Sequence, residues 1–211
     1  MSMKDAYQAV LALDKKRVSD VVRTEIEAGA DILSLLNDGL IAAMDEVGRL
    51  FSEGELYVPE MLMAAQAMKA GLEVMKPHLG EAELHNKGTV VIGTVKGDLH
   101  DIGKNLVAMM MEGAGFHIVD LGVDVDMERF LSAVKENEAD LVALSALLTT
   151  TMQAMKETVD YLAGNEVRKR VKIIIGGAPI TQDFADEIGA DGYGPNAPSA
   201  VQLAKSLLAA S

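Results

Sequence analysis

The hydrophobic period of this chain changes near residue 88, and that change restricts its fold more than any other feature. Upstream, Ile32, Leu36, Leu40, Met44, Val47 and Phe51 recur by threes and fours, which keeps them on one helical face, and Asp31 is placed to cap the start. Val18, Val22 and Ile26 repeat the pattern, and a turn at 52–55 follows. Pro59 suits the first turn of a further helix through Leu62, Ala65, Met68, Leu72 and Met75. Four helices, one of them short, predict a small bundle over residues 1–78, with the apolar-poor stretch 79–88 as a linker. Downstream, the runs 89–95, 115–121, 140–145, 171–175 and 190–193 are short and β-branched or apolar on both faces, with helical stretches between them. Strands of that kind need cover on both sides, so residues 89–211 predict a five-stranded parallel sheet flanked by helices. The expected class is thus α plus α/β, a helical bundle followed by a flavodoxin-like (Rossmann-type) domain whose ligands sit at the carboxyl ends of the strands.

A chain of 211 residues, 49% of them hydrophobic, has the material for two packed cores. Its net charge of −13 is shared almost evenly by the two halves, so neither half is a basic domain for gripping a phosphate backbone, and nucleic acid is not an expected partner. The absence of cysteine removes disulfides, thiolate catalysis and every Cys-ligated zinc or iron–sulfur site. Any metal must be held by His, carboxylate or a cofactor. Lys4 and Asp5 interrupt the N-terminus before any apolar stretch of signal length, and no uncharged apolar run is long enough to span a bilayer. A soluble cytoplasmic protein with no membrane partner is expected.

The first predicted strand runs directly into Lys96-Gly97-Asp98-Leu99-His100-Asp101-Ile102-Gly103-Lys104-Asn105. Asp98 and His100 are close enough for the carboxylate to bind one ring nitrogen and leave the other to a metal, and Gly97 and Gly103 permit close approach by something bulky. The same residues also suit an ordinary strand-to-helix loop in which Asp98 or Asp101 caps the next helix and His100 lies on the surface.

Farther along, Ser145-Ala146-Leu147 and Gly176-Gly177 fall at the ends of later predicted strands. Alone, they read as a strand end and a tight turn. In order, Asp98-x-His100-x-x-Gly103, Ser145-x-Leu147 and Gly176-Gly177 resemble the cobalamin-binding signature of the methionine synthase type of B12 domain. The helical half, through residues 47–55 (VGRLFSEGE) and 58–65 (VPEMLMAA), resembles the cap domain of the corrinoid proteins of methanol and methylamine methyl transfer.

This resemblance implies that His100 is the lower axial ligand to cobalt in place of the cofactor's own dimethylbenzimidazole. Asp98 would bind the far ring nitrogen of His100, and Thr151 stands where the family has a serine completing that relay. Leu99, Asp101 and Ile102 would belong to the cofactor loop with Gly97 and Gly103. Ser145, Leu147 and Thr149 would line a channel for the displaced nucleotide tail, with Gly176 and Gly177 leaving it room. It also implies a stand-alone subunit that carries a methyl group on cobalamin between a substrate-specific methyltransferase and a second methyltransferase, with a reductive activation protein as a further partner. The cobalamin module of an adenosylcobalamin-dependent mutase, or a B12 sensor, shares part of the signature.

Other residues receive plainer assignments. Met61, Met63, Met68, Met75 and Met109 to Met111 fall on predicted helices and read as core, with Met61 and Met63 also candidates for the upper corrin face. His78, His85 and His117 lack a ligand context. Arg168, Lys169, Arg170 and Lys172 read as a solvated helix end or a docking patch.

Overall fold

The computed structural model describes residues 3–79 and 87–209, so most of the expected linker 79–88, with His85, lies outside the described residues. The chain divides into two compact units, one helical and one beginning at Lys87. Among the described residues no helix is long and apolar enough to cross a membrane.

The helical unit contains α1 (Met3–Leu11), α2 (Lys15–Glu27), a long α3, and α4 (Val58–Met75). Asp14 starts α2 by accepting from the Arg17 amide, and Asp31 starts α3 by accepting from the Ser34 amide. Helix α3 runs as α over Ile32–Ser34, widens to a π-helix over Leu35–Ile41, and returns to α over Ala42–Ser52. The sequence pattern explains the widening. Ile32, Leu36, Leu40 and Met44 are spaced by four, and each such step drifts about 40° around an α-helix. The wider π turn takes up that drift and keeps Leu36, Leu40 and Met44 buried together. In α4, Glu60 accepts from the Tyr57 amide and Pro59 occupies the first turn. A Cβ at Gly71 would press on Val18 and Leu40 side chains, so this glycine lets α4 lie close to α2 and α3. Met61, Met68 and Met75 are fully buried, as a core role requires, whereas Met63 is half exposed.

The second unit alternates strand and helix: β1 (Thr89–Thr94), α5 (Ile102–Gly113), β2 (His117–Asp120), α6 (Met127–Glu136), β3 (Leu141–Ser145), α7 (Met152–Ala163), β4 (Lys172–Gly176), α8 (Gln182–Ile188), β5 (Gly192–Tyr193) and α9 (Ala197–Ala209). The strands are all parallel, as the alternation predicts, and their order β2-β1-β3-β4-β5 is the expected flavodoxin-like one. Apolar runs supply the core: Val91, Val142 and Ile173 are paired across three strands and fully buried. Gly93 leaves β1 a notch for the Phe130 ring, which a Cβ there would strike. Arg168 is no solvated helix end, because its guanidinium pairs with Asp191 at 2.9 Å and donates to the Val171 carbonyl at 3.0 Å.

The chain leaves β1 for β2 on one side and later returns to place β3 on the other. That reversal opens the sheet at the carboxyl ends of β1 and β3, where an open parallel sheet holds its ligand.

Candidate functional site

Thr94, Ser145 and Gly176 are the last residues of β1, β3 and β4, and their register sets them side by side. The loop after β1 turns at Gly97, whose φ of +83° is natural for glycine. The turn is pinned from the loop after β2. Asp124 accepts from the Gly97 amide at 2.8 Å, and its own amide donates to the Asp98 carbonyl at 3.0 Å.

Asp98 then points into the molecule and is completely buried. Its Oδ1 accepts from the His100 amide at 3.1 Å and lies 2.7 Å from His100 Nδ1. Its Oδ2 accepts from the Leu147 amide at 2.7 Å, the Leu148 amide at 3.3 Å and the Thr151 hydroxyl at 2.8 Å. Burial pushes the Asp98 carboxyl up, but the donors from Leu147, His100 and Thr151 outweigh it and hold it well below the usual carboxylate range. An ionised Asp98 accepts from Nδ1–H, which fixes the tautomer and leaves Nε2 with its lone pair for an outside partner.

The His100 side chain is 50% exposed. Around it stand apolar side chains that a closed surface would bury: Leu99 is 72% exposed, Ile102 81%, Leu147 41% and Leu148 42%. A Cβ at Gly103 would meet nothing within 4 Å, so this glycine borders open space.

Asp98, His100, Leu147 and Thr151 therefore meet in one network, though Leu147 serves through its amide. Thr151 does not cap α7 with its side chain; its hydroxyl reaches Asp98 and also lies 2.9 Å from the Leu148 carbonyl. Its single proton favours the charged acceptor. Asp101 stays outside, accepting from the Asn105 side chain at 3.0 Å. Ser145 ends β3 half-buried, and Thr149 is exposed in a 3₁₀ turn over Thr149–Thr151.

The two later glycines differ from the sequence argument in their physical reason. A Cβ at Gly177, whose φ is +133°, would fall onto the Ala146 carbonyl, and one at Gly176 would lie 3.0 Å from the Gly194 carbonyl. At Gly177 close approach of the chain's own backbone already requires glycine, before any ligand is considered, and at Gly176 a side chain would push the neighbouring backbone by a few tenths of an ångström.

Several contributors were not singled out from the sequence. Thr94 has no exposed surface and donates to the His100 carbonyl at 2.9 Å. Lys104 is buried, and its ammonium donates to Asp120 at 2.7 and 2.6 Å and to Asn105 at 2.6 Å, tying α5 to the end of β2. Asp124 has a left-handed φ of +54°, unusual for a residue with a Cβ. A polar residue ending an apolar strand, and a lysine inside the D-x-H-x-x-G-K run, were the available signals.

A B12 binding domain model matches residues 88–202, and a second model described in the same words matches residues 3–76. The chain belongs to the B12-binding family. It is 40% identical over 212 residues to a corrinoid protein of Desulfitobacterium hafniense (strain Y51), covering 99% of this chain and 98% of that one. It is 44% identical over 205 residues to trimethylamine corrinoid protein 2 of Methanosarcina mazei, covering 96% and 94%. In structure it is similar to a chain of the methanol:cobalamin methyltransferase complex from Methanosarcina barkeri, with a TM-score of 0.87, 35% identity, and coverage of 99% of this chain and 80% of that chain. A cobalamin-binding protein from Desulfitobacterium hafniense DCB-2 matches with a TM-score of 0.82 and 33% identity, over 97% and 98%.

The site of this B12-binding chain suits the cofactor on chemical grounds. Among the described residues no group of three or more His, Asp or Glu side chains could hold a metal. One oriented imidazole within an apolar rim instead fits a metal that brings its other ligands in a large flat macrocycle.

Proposed function

We propose that this chain is a corrinoid methyl carrier, holding a methyl group on cobalamin between a substrate-specific methyltransferase and a second methyltransferase, with a reductive activation protein as a further partner. The observation that carries the reading is the buried Asp98 carboxylate, which accepts from both His100 Nδ1 and the Thr151 hydroxyl while the imidazole stands in an exposed apolar rim. Full-length similarity to trimethylamine and other corrinoid proteins supports it.

In this reading His100 would hold the cobalt through Nε2, with Asp98 and Thr151 as its relay. Leu99, Ile102 and Leu147 would give the cofactor apolar contact, and Gly97, Asp101 and Gly103 would shape the loop. Ser145, Thr149, Gly176 and Gly177, at or beyond the ends of β3 and β4, border the space for the nucleotide tail. Residues 1–78 form the cap domain, 79–88 the linker and 89–211 the cobalamin domain. Cobalamin supplies the cobalt–carbon bond chemistry. The chain's own work is to present the lone pair of Nε2 and withdraw it. The Asp98 carboxylate at Nδ1 holds the ring in the tautomer that keeps that lone pair free.

Electron paramagnetic resonance of the cobalt(II) form tests the assignment. Nitrogen coupling from an axial imidazole is expected in the native chain and absent in His100→Ala. Coupling that persists in the variant refutes it.

A further inference from the structure

The His100 main chain is held at both of its polar atoms. Its amide donates to Asp98 Oδ1, and its carbonyl accepts from Thr94 Oγ1 at 2.9 Å. Thr94 is itself fixed: its amide donates to the Gly122 carbonyl at 2.9 Å, its carbonyl accepts from the Val125 amide at 3.0 Å, and it pairs with Ser145 in the sheet. The hydroxyl thus projects from an anchored and fully buried point.

Packing alone does not require a threonine there. Valine has the same shape and suits a buried strand as well, and a buried hydroxyl is unfavourable unless it finds a partner. The partner is the carbonyl of the residue whose ring carries the chemistry. Asp98 sets one nitrogen of that ring, but a ring held by one hydrogen bond still swings with its backbone. The bond to Thr94 removes that swing by fixing the peptide after the imidazole.

We propose that Thr94 is a positioning residue for cobalt ligation by His100, its hydroxyl anchoring the His100 carbonyl so that Nε2 returns to the same place after every release. This rests on the reading of His100 as the axial ligand. Asp98 and Thr94 then divide the task, the carboxylate fixing the tautomer and the hydroxyl fixing the direction.

The test uses the full chain with Thr94→Val, which deletes the hydroxyl and keeps the shape, and Thr94→Ser, which keeps the hydroxyl. Loaded with cob(II)alamin, Thr94→Val should show a several-fold lower ratio of nitrogen-coupled to uncoupled cobalt than the native chain, with Thr94→Ser close to native. In the cobalamin-free protein, the His100 amide should exchange several-fold faster in Thr94→Val, again rescued by Ser. Native coupling together with native amide exchange in Thr94→Val overturns the proposal. Equal loss in both variants also overturns it, because the side chain then acts through packing. His100→Ala measured in parallel separates the two ideas. If coupling survives there, the axial assignment fails and the exchange data alone judge whether Thr94 orders His100.

Discussion

Replacing Asp98 by asparagine changes one atom and should disable the site through a tautomer. Asp98 accepts five contacts: three donors converge on Oδ2 and two on Oδ1. Asparagine has one accepting oxygen, and its amide nitrogen can only donate. The Leu147 and Leu148 amides cannot become acceptors, so the oxygen must take the Oδ2 place and the NH₂ must face His100. There it opposes the His100 backbone amide, a donor that loses its partner, and forces Nδ1 to become the acceptor. The ring proton then sits on Nε2, the atom that would ligate cobalt. Loss of the charge-assisted bond and the unsatisfied donor together cost about 2–3 kcal/mol of stability in the cobalamin-free chain, toward the low end because His100 is half exposed. Hydrogen exchange of the β1 and β3 amides reads that loss for the sheet unit. Electron paramagnetic resonance of the loaded protein reads the ligand, where nitrogen coupling should disappear. Native exchange rates with retained coupling would refute the reasoning, since the carboxylate would then set neither the loop nor the tautomer.

Three further outcomes follow from the same geometry. Gly177→Ala should destabilise the cobalamin-free chain by more than about 1 kcal/mol, because its Cβ meets the Ala146 carbonyl, whereas Gly103→Ala, in a helix and with open space, should raise the thermal unfolding temperature slightly and weaken cobalamin binding in a titration. Thr151→Val removes one donor to Asp98 and should cost about 1 kcal/mol in the same exchange measurement while keeping the fold; an unchanged value would show that the hydroxyl serves only the Leu148 carbonyl. Asp98 is held below the ordinary carboxylate range, as is Asp124, where the Gly97 amide is the leading cause. Depressed folded-state values mean stability that is complete above the unfolded carboxyl pKa of about 4 and is lost as pH falls below it. Thermal unfolding between pH 6 and pH 3 should show that fall, and Asp98→Asn should flatten part of it.

Much of the fold is legible locally. Apolar runs bounded by helical stretches can be covered only in a parallel α/β sheet, so the strands beginning near Thr89, Leu141 and Lys172 follow from side-chain period and β-branching. The second strand is shorter than the apolar run 115–121 because Gly115, at φ +93°, and Phe116 still belong to the turn that ends α5. The π segment in α3 was latent in the spacing by four, but its form depends on which neighbours the helix packs against.

The candidate site divides along the same line. Asp98 and His100 are two residues apart, so their bond is a local property, and a sequence is enough to place a carboxylate beside an imidazole at a strand end. The Leu147 amide and the Thr151 hydroxyl reach Asp98 from 49 and 53 residues away. Asp124 reaches Gly97 across 27. Those contacts exist because β1 lies between β2 and β3, an order set by how the strands pack under their helices. The reason for Gly177 is likewise tertiary, since only the folded chain brings the Ala146 carbonyl against it. The sequence by itself determined the alternation of elements and the residue types at each strand end, because side-chain chemistry and period are local. Strand order, and with it the donors that keep a buried carboxylate charged and aim its histidine, was decided by the tertiary structure, because hydrogen bonds depend on distances in space that separation along the chain does not set.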